Sequence, residues 1–330
     1  MEFTVHQQLG SGVLYKDKDI VCIKDNENHL VVYGFSPVFK ELLTIDLSAR
    51  TNQVGRYSEG VYYFQDRNTY FHAFTGGENN KVEDSFFYEI CPDYKAYTIL
   101  SKKDLIICES DKSVEIPILQ RGAQKLFLDK GLVQVGQKNG LIAYYNVLQD
   151  DKIKWQQTFT ALTSAEKANL HSRILSSDDK LFFVVTGNER KGLFVLNLET
   201  GEVVKKFEGL CYEIFKDRDY IYTTQFENIL CRINIKTLEL EEWDCNALIT
   251  ENGFHSIHDH RCDVVNDRFC FTQTLGDDKA KLGVLDWEKK ELVYKHEFEP
   301  KNGAIGSIQV NETRMFVHTQ DNVLHIFEKV

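Results

Sequence analysis

Short apolar runs, each entered through a polar turn that usually carries Asp or Lys, recur along the whole chain. They are Lys18-Asp19-Ile20-Val21-Cys22, Glu59-Gly60-Val61-Tyr62-Tyr63, Lys103-Asp104-Leu105-Ile106-Ile107, Lys130-Gly131-Leu132-Val133-Gln134, Asp179-Lys180-Leu181-Phe182-Phe183, Asp219-Tyr220-Ile221-Tyr222, Asp267-Arg268-Phe269-Cys270-Phe271 and Thr313-Arg314-Met315-Phe316-Val317. Counted from the first apolar strand residue of each, the spacings are 41, 44, 27, 49, 40, 48 and 46. Runs of this length bounded by turn residues read as buried strands. A period near 40 to 45 residues with about four strands per period is the size of a propeller blade.

Four copies continue alike. Tyr145-Asn146-Val147 leads to Trp155, Leu196-Asn197-Leu198 to Phe207, Ile233-Asn234-Ile235 to Trp243, and Leu285-Asp286-Trp287 to Tyr294. In each, a small polar residue near a strand end can satisfy turn amides. A large aromatic on the returning strand can fill the gap between neighbouring sheets. The last unit ends one strand short, and the N-terminus offers an orphan strand, residues 2–8, to complete it against residues 305–330. The sequence thus predicts an all-β chain: one closed β-propeller domain over residues 1–330, with eight blade-like units and seven as the fallback. The seven-unit alternative comes from the 27-residue gap between Leu105 and Leu132, which has room for Val114-Glu115-Ile116 and little else. A helical turn is expected at Thr163-Ser164-Ala165-Glu166, which has the T-x-x-E capping form.

Composition agrees with this reading. The 22 Phe and 15 Tyr, with many Val, Ile and Leu, suit pleated surfaces, and only four prolines interrupt them. No apolar run approaches the ~20 residues that span a bilayer. The N-terminus has neither a basic nor an apolar leader region, so a cytoplasmic chain is expected. Eight cysteines without a C-x-x-C arrangement read as reduced, mostly buried thiols. Asp plus Glu exceed Lys plus Arg by 50 to 39, a net charge of -11. That excess repels phosphate backbones and anionic membrane faces, so neither nucleic acid nor membrane is expected as a partner. It favours encounter with a basic protein.

The segment Gly192-Leu193-Phe194-Val195-Leu196-Asn197-Leu198-Glu199-Thr200-Gly201-Glu202-Val203-Val204 resembles the repeat of quinoprotein-like propellers, a superfamily of PQQ-like and WD40-like repeats. Trp155 and Trp243 match its return-strand Trp, and Phe207 lies near that position. The resemblance covers about half the chain and implies the fold alone. Quinone-dependent members use an adjacent cysteine pair, which is absent here, so no cofactor is expected. The Gly-His and Trp-Asp pairs of WD40 repeats are also missing, apart from Trp243-Asp244.

The densest polar cluster is His255-Ser256-Ile257-His258-Asp259-His260-Arg261-Cys262-Asp263, between one unit's outer strand and the next unit's inner strand. His255, His258, Asp259 and His260 are weak candidates for metal ligation, since their spacing is loose. No catalytic residue is assigned. His171 and Arg173 begin another inner strand and Tyr212 the next, with Arg56 and Tyr97 at equivalent places in earlier units. With His255, His258, His260 and Arg261 these form the expected binding surface, because Arg and Tyr are enriched in interface hot spots. Arginines at strand starts also pair commonly with nearby acids. The leading expectation is a non-catalytic binding module that recruits or inhibits a protein partner, with an immunity-type inhibitor of a cationic toxin as one concrete version. The alternative is a hydrolase or lyase with a histidine-based or metal-assisted site. No G-x-S-x-G elbow, H-E-x-x-H helix or Walker loop is present to support it.

Overall fold

The computed structural model describes residues 3–10, 12–25, 27–35, 39–48, 51, 53–76, 79–91, 94–102, 104–109, 112–117, 124–128, 131–136, 140–146, 152–165, 167–187, 190–273 and 280–329. Eight small antiparallel sheets succeed one another along the chain, the make-up of an eight-bladed β-propeller. The fifth has an inner strand in two pieces and the others have four strands each. In the eighth, Ile305–Val310, Arg314–Thr319 and Val323–Lys329 are joined by the N-terminal strand Phe3–Gly10, which pairs with Val323–Lys329. The predicted terminal strand therefore forms, with Glu2 outside the described residues. Both ends of the chain build one sheet, and that outer edge is not left unpaired.

Seven of the eight recurring apolar runs are the second strands of their blades, such as Ile20–Lys24, Lys180–Gly187 and Arg268–Thr272. They are deeply buried: Leu181 through Val185 are wholly inaccessible. The third run is displaced by one strand. Leu105 lies on Asp104–Glu109, the third strand of a blade that begins with Ser85–Ile90 and Tyr94–Ile99 and ends with Lys112–Pro117. The 27-residue spacing thus arises from a shifted marker, and the blade has its full four strands. Its second strand, Tyr-Lys-Ala-Tyr-Thr-Ile, alternates rather than running apolar, so its signal was weaker.

The turn chemistry follows from the small polar residues. Asn197 Oδ1 accepts the Glu199 and Thr200 amides, both at 2.9 Å, and Asn234 Oδ1 accepts those of Lys236 and Thr237 at 2.9 and 3.0 Å. Asp286 does the same for Lys289 at 3.1 Å. The return-strand aromatics reach the next blade. Trp155 Nε1 donates to the Leu198 carbonyl at 2.6 Å, and Trp243 meets Trp287 edge to face at 5.9 Å. Gly201, at φ 73°, lies under the Trp155 ring, where a Cβ would come within 2.5 Å of it. No larger residue fits that turn.

The chain divides into two compact units, 9–121 with 147–152, and 1–8 with 122–146 and 153–330. In the first, Ile20, Cys22, Leu30, Val32, Val61 and Tyr63 form the core between its first two sheets. In the second, apolar clusters lie between consecutive sheets, as where Phe215, Tyr222, Phe269, Phe271 and Trp287 meet. Arg232 is buried there, stacked over Tyr220 and Trp287 at 4.3 and 4.7 Å from the ring centroids. Glu241 and Glu288 neutralise it, at 3.1 and 2.7 Å. A planar guanidinium suits such a stacked, hydrogen-bonded position better than an ammonium would.

The one helical turn near the expected place is Phe159–Thr163, earlier than predicted. Thr158 caps it, its Oγ1 accepting the Ala161 amide at 3.1 Å. Thr163 is its last residue and Ser164 its left-handed C-cap. Glu166 of the predicted capping form lies outside the described residues.

Candidate functional site

The site is built from the connections that lead into the inner strands of the fifth, sixth and seventh blades, all in the second unit. The fifth blade's inner strand is broken into Asn169–Leu170 and Leu175–Ser177, both paired with Lys180–Gly187. At the break the His171 amide donates to the Val184 carbonyl at 2.9 Å, and the Val184 amide donates to Ser172 Oγ at 2.9 Å. The serine hydroxyl replaces one rung of the ladder, so no buried amide is left unbonded. Beyond these two anchors ladder pairing lapses until Leu175, and Arg173 is exposed.

In the sixth blade, Leu210, Cys211 and Ile214 bury their side chains ahead of Phe215–Asp217 and leave Tyr212 and Glu213 at the surface. Glu213 joins the blades. Its Oε1 accepts the Arg173 amide at 2.8 Å and Arg173 Nε at 3.1 Å, and its Oε2 lies 4.0 Å from His260 Nδ1. The Arg173 guanidinium also lies over Phe215 at 4.7 Å. A carboxylate that takes both a backbone and a side-chain donor from one residue fixes that residue's direction as well as its charge.

In the seventh blade the histidine segment precedes Cys262–Val265. The His258 amide donates to the Thr272 carbonyl at 2.7 Å, and the His260 amide donates to His258 Nδ1 at 3.1 Å. His258 Nδ1 thus sits between two opposed partners, the His260 amide and the Asp259 carboxylate. Burial foremost, and then the charge of Arg261, push its pKa below the usual imidazole value against the pull of Asp259. Asp259 stands 3.0 Å from His258 Nδ1 and 3.5 Å from His260 Nε2. The His171 and His260 rings meet at a tilt of 52° with centroids 5.1 Å apart, and those of His258 and His260 are 6.4 Å apart.

The structure therefore brings together His171, Arg173, His258 and His260, residues up to 89 positions apart in sequence. Tyr212 lies beside them but pairs edge to face with Phe226 at 5.4 Å. His255 is placed through its backbone, the amide donating to Gln273 and the carbonyl accepting Asn228 Nδ2. Arg261 acts on His258 by charge. Arg56 and Tyr97 belong to the other unit. Arg56 is held by Asp17 and Asp19 at 2.7 and 2.9 Å. Tyr97 is mid-strand on a second strand, not at the start of an inner one, and stacks on Phe87 at 4.8 Å. Sequence reasoning missed Glu213 and Phe226. The only local signal for Phe226 was a bulky apolar residue in a hairpin turn, where polar residues and glycine are usual.

Among the described residues, no group of three or more His, Cys, Asp or Glu side chains is arranged to hold a metal ion, and no helix is long and apolar enough to cross a membrane. What the site does offer is a neutralised arginine, a row of histidines and two surface aromatics. Such groups can donate hydrogen bonds and lose apolar area to another surface.

No family model and no curated protein matches this sequence. Solved structures do. BamB from Moraxella catarrhalis aligns over 100% of this chain and 98% of its own with a TM-score of 0.63 and 12% identity. Sqt1 from Saccharomyces cerevisiae aligns over 100% of both chains with a TM-score of 0.62 and 10% identity. The computationally designed Ika8 protein aligns over 98% of both at 0.59 and 10%. The fold is an eight-bladed β-propeller. The resemblance to quinoprotein-like propellers holds at the level of fold, which many unrelated functions share.

Proposed function

We propose that residues 1–330 act as one cytoplasmic domain that binds a protein partner, a basic one, through the face carrying His171, Arg173, Tyr212, His255, His258, His260 and Arg261. The observation that carries this reading is the junction at Glu213. It holds Arg173 in place beside the His171–His260 pair, so three consecutive blades present one preorganised polar surface. Groups fixed before binding lose little entropy on association. The net charge of -11 supports a cationic partner by steering. A propeller used as a recruiting or inhibiting surface needs no catalytic group, and an inhibitor of a cationic toxin remains the concrete form of this reading.

Affinity capture from the native host tests it. The wild-type chain and Lys236→Ala, a turn residue away from this face, should retain the same co-eluting protein. Arg173→Ala with His260→Ala should lower its recovery at least tenfold, as expected for central interface groups. Salt above ~0.5 M should release a basic partner, because screening shortens the reach of the charges. Equal recovery with all three proteins, or none with the wild type, contradicts the reading.

A further inference from the structure

The tight turn of the sixth blade joins Tyr220–Gln225 to Ile229–Asn234 through Phe226, Glu227 and Asn228. Glu227 and Asn228, the last two of the three loop residues between the paired Gln225 and Ile229, both have positive φ, 62° and 63°. Asn tolerates that conformation, whereas Glu is strained in it. The turn is nonetheless pinned on several sides. Asn228 Nδ2 donates to Asn246 Oδ1 at 3.0 Å and to the His255 carbonyl at 3.4 Å, its Oδ1 accepts the Ile257 amide at 2.8 Å, and its carbonyl accepts the Cys245 amide at 3.1 Å. A turn so fixed has no freedom to fold its side chains inward. Phe226 on it is 62% exposed, the most exposed of the large apolar side chains described, and rests edge-on against Tyr212.

Three carboxylates lie at the same end of this blade. Glu227 follows Phe226 directly. Glu242 accepts Gln225 Nε2 at 2.7 Å, and Asp244 lies opposite Ile229 at the end of the outer strand. All three are exposed, and among the described residues none has a cation within ion-pairing distance. Glu213, by contrast, is already occupied by Arg173. The turn therefore presents an apolar knob on a rigid support, with uncompensated negative charge around it. Aromatic side chains on rigid supports make interface anchors because they bury much area at small entropic cost.

We infer that Phe226 is the anchor of this interface. Its occupant is a basic protein segment whose apolar side chains close around the ring while its Lys or Arg side chains meet Glu227, Glu242 and Asp244. This deepens the reading of the face as a binding surface and rests on it.

The test uses a displayed library of random peptides selected on the wild-type chain, with binding of the selected peptides then measured by fluorescence anisotropy. The selected peptides should be net positive and carry at least one aromatic or aliphatic residue. Phe226→Ala should weaken them about tenfold to a hundredfold. Its melting temperature should stay at the wild-type value, since the side chain is exposed. The triple variant Glu227→Gln, Glu242→Gln, Asp244→Asn should weaken them less and flatten the dependence on salt. If Arg173→Ala with His260→Ala weakens binding while Phe226→Ala does not, the face stands and the anchor falls. If neither has an effect, both fall. The inference is also overturned by selection of acidic or neutral peptides, by failure to select any peptide, or by self-association of the wild type that Phe226→Ala abolishes, which would make the occupant a second copy of the chain.

Discussion

Deleting residues 1–10 should lower the melting temperature by about 7 °C. The strand Phe3–Gly10 covers the edge of Val323–Lys329, in which Leu324, His325, Ile326 and Phe327 are all buried. Its loss removes a row of backbone hydrogen bonds, each worth about 1 kcal/mol net, and uncovers apolar surface behind them. A total near 5 kcal/mol is a modest estimate. Divided by an unfolding entropy of roughly 0.7 kcal/mol/K for a chain of this length, it gives the stated shift. The freed edge would also be open to pairing with other chains, so aggregation on heating should increase. A synthetic peptide of residues 1–10 added to the truncated chain should restore part of the loss. A truncated chain that melts with the full-length protein contradicts the role given to this strand.

The same blade should make the protein sensitive to acid. His325 is buried, with Nε2 3.0 Å from Thr319 Oγ1 and its ring against Phe298 at 4.8 Å. Burial foremost lowers its pKa to about 4, with His296 and His318 adding to the effect and Asp321 opposing it. His296, packed on Phe298 and Phe327, is also pushed below the usual value by burial. The unfolded chain binds a proton at His325 near pH 6.5, while the folded one resists until about pH 4. Stability from this group is therefore complete above pH 6.5 and is lost as pH falls through the window to 4, with little further loss below. The linkage amounts to about 3 kcal/mol at pH 4. Denaturant titrations at pH 7.5, 5 and 4 should show His325→Gln losing about that much less than the wild type over the range. Parallel losses in the two proteins would place the acid sensitivity elsewhere.

The architecture was legible because the second strand of most blades is buried on both faces and must read as an apolar run, as Leu181 to Val185 does. Polar turns then mark its start. The third blade misled the count because Tyr94–Ile99 alternates and the next strand carries the apolar run instead. The helical turn moved from Thr163 to Phe159–Thr163 because Thr158 supplies the cap, and a capping pattern shows that a residue is able to cap without showing that it does. For the site, the histidine segment was visible as local density. Glu213 was not, because its significance lies in Arg173, 40 residues earlier, and in His260, 47 later. Such pairings come from neighbouring blades and leave no local pattern. Arg56 is a further case, an arginine on an inner strand neutralised by Asp17 and Asp19, 39 and 37 residues earlier in the preceding blade.

Amide hydrogen exchange of the chain alone and in complex with the captured partner tests the binding face most directly. Slower exchange in the complex is expected at residues 210–214, 225–228 and 255–261, with the turns at 217–219 and 286–290 unchanged. Protection confined to those two turns or to residues 9–121, or no protection anywhere, would contradict the assignment of this face.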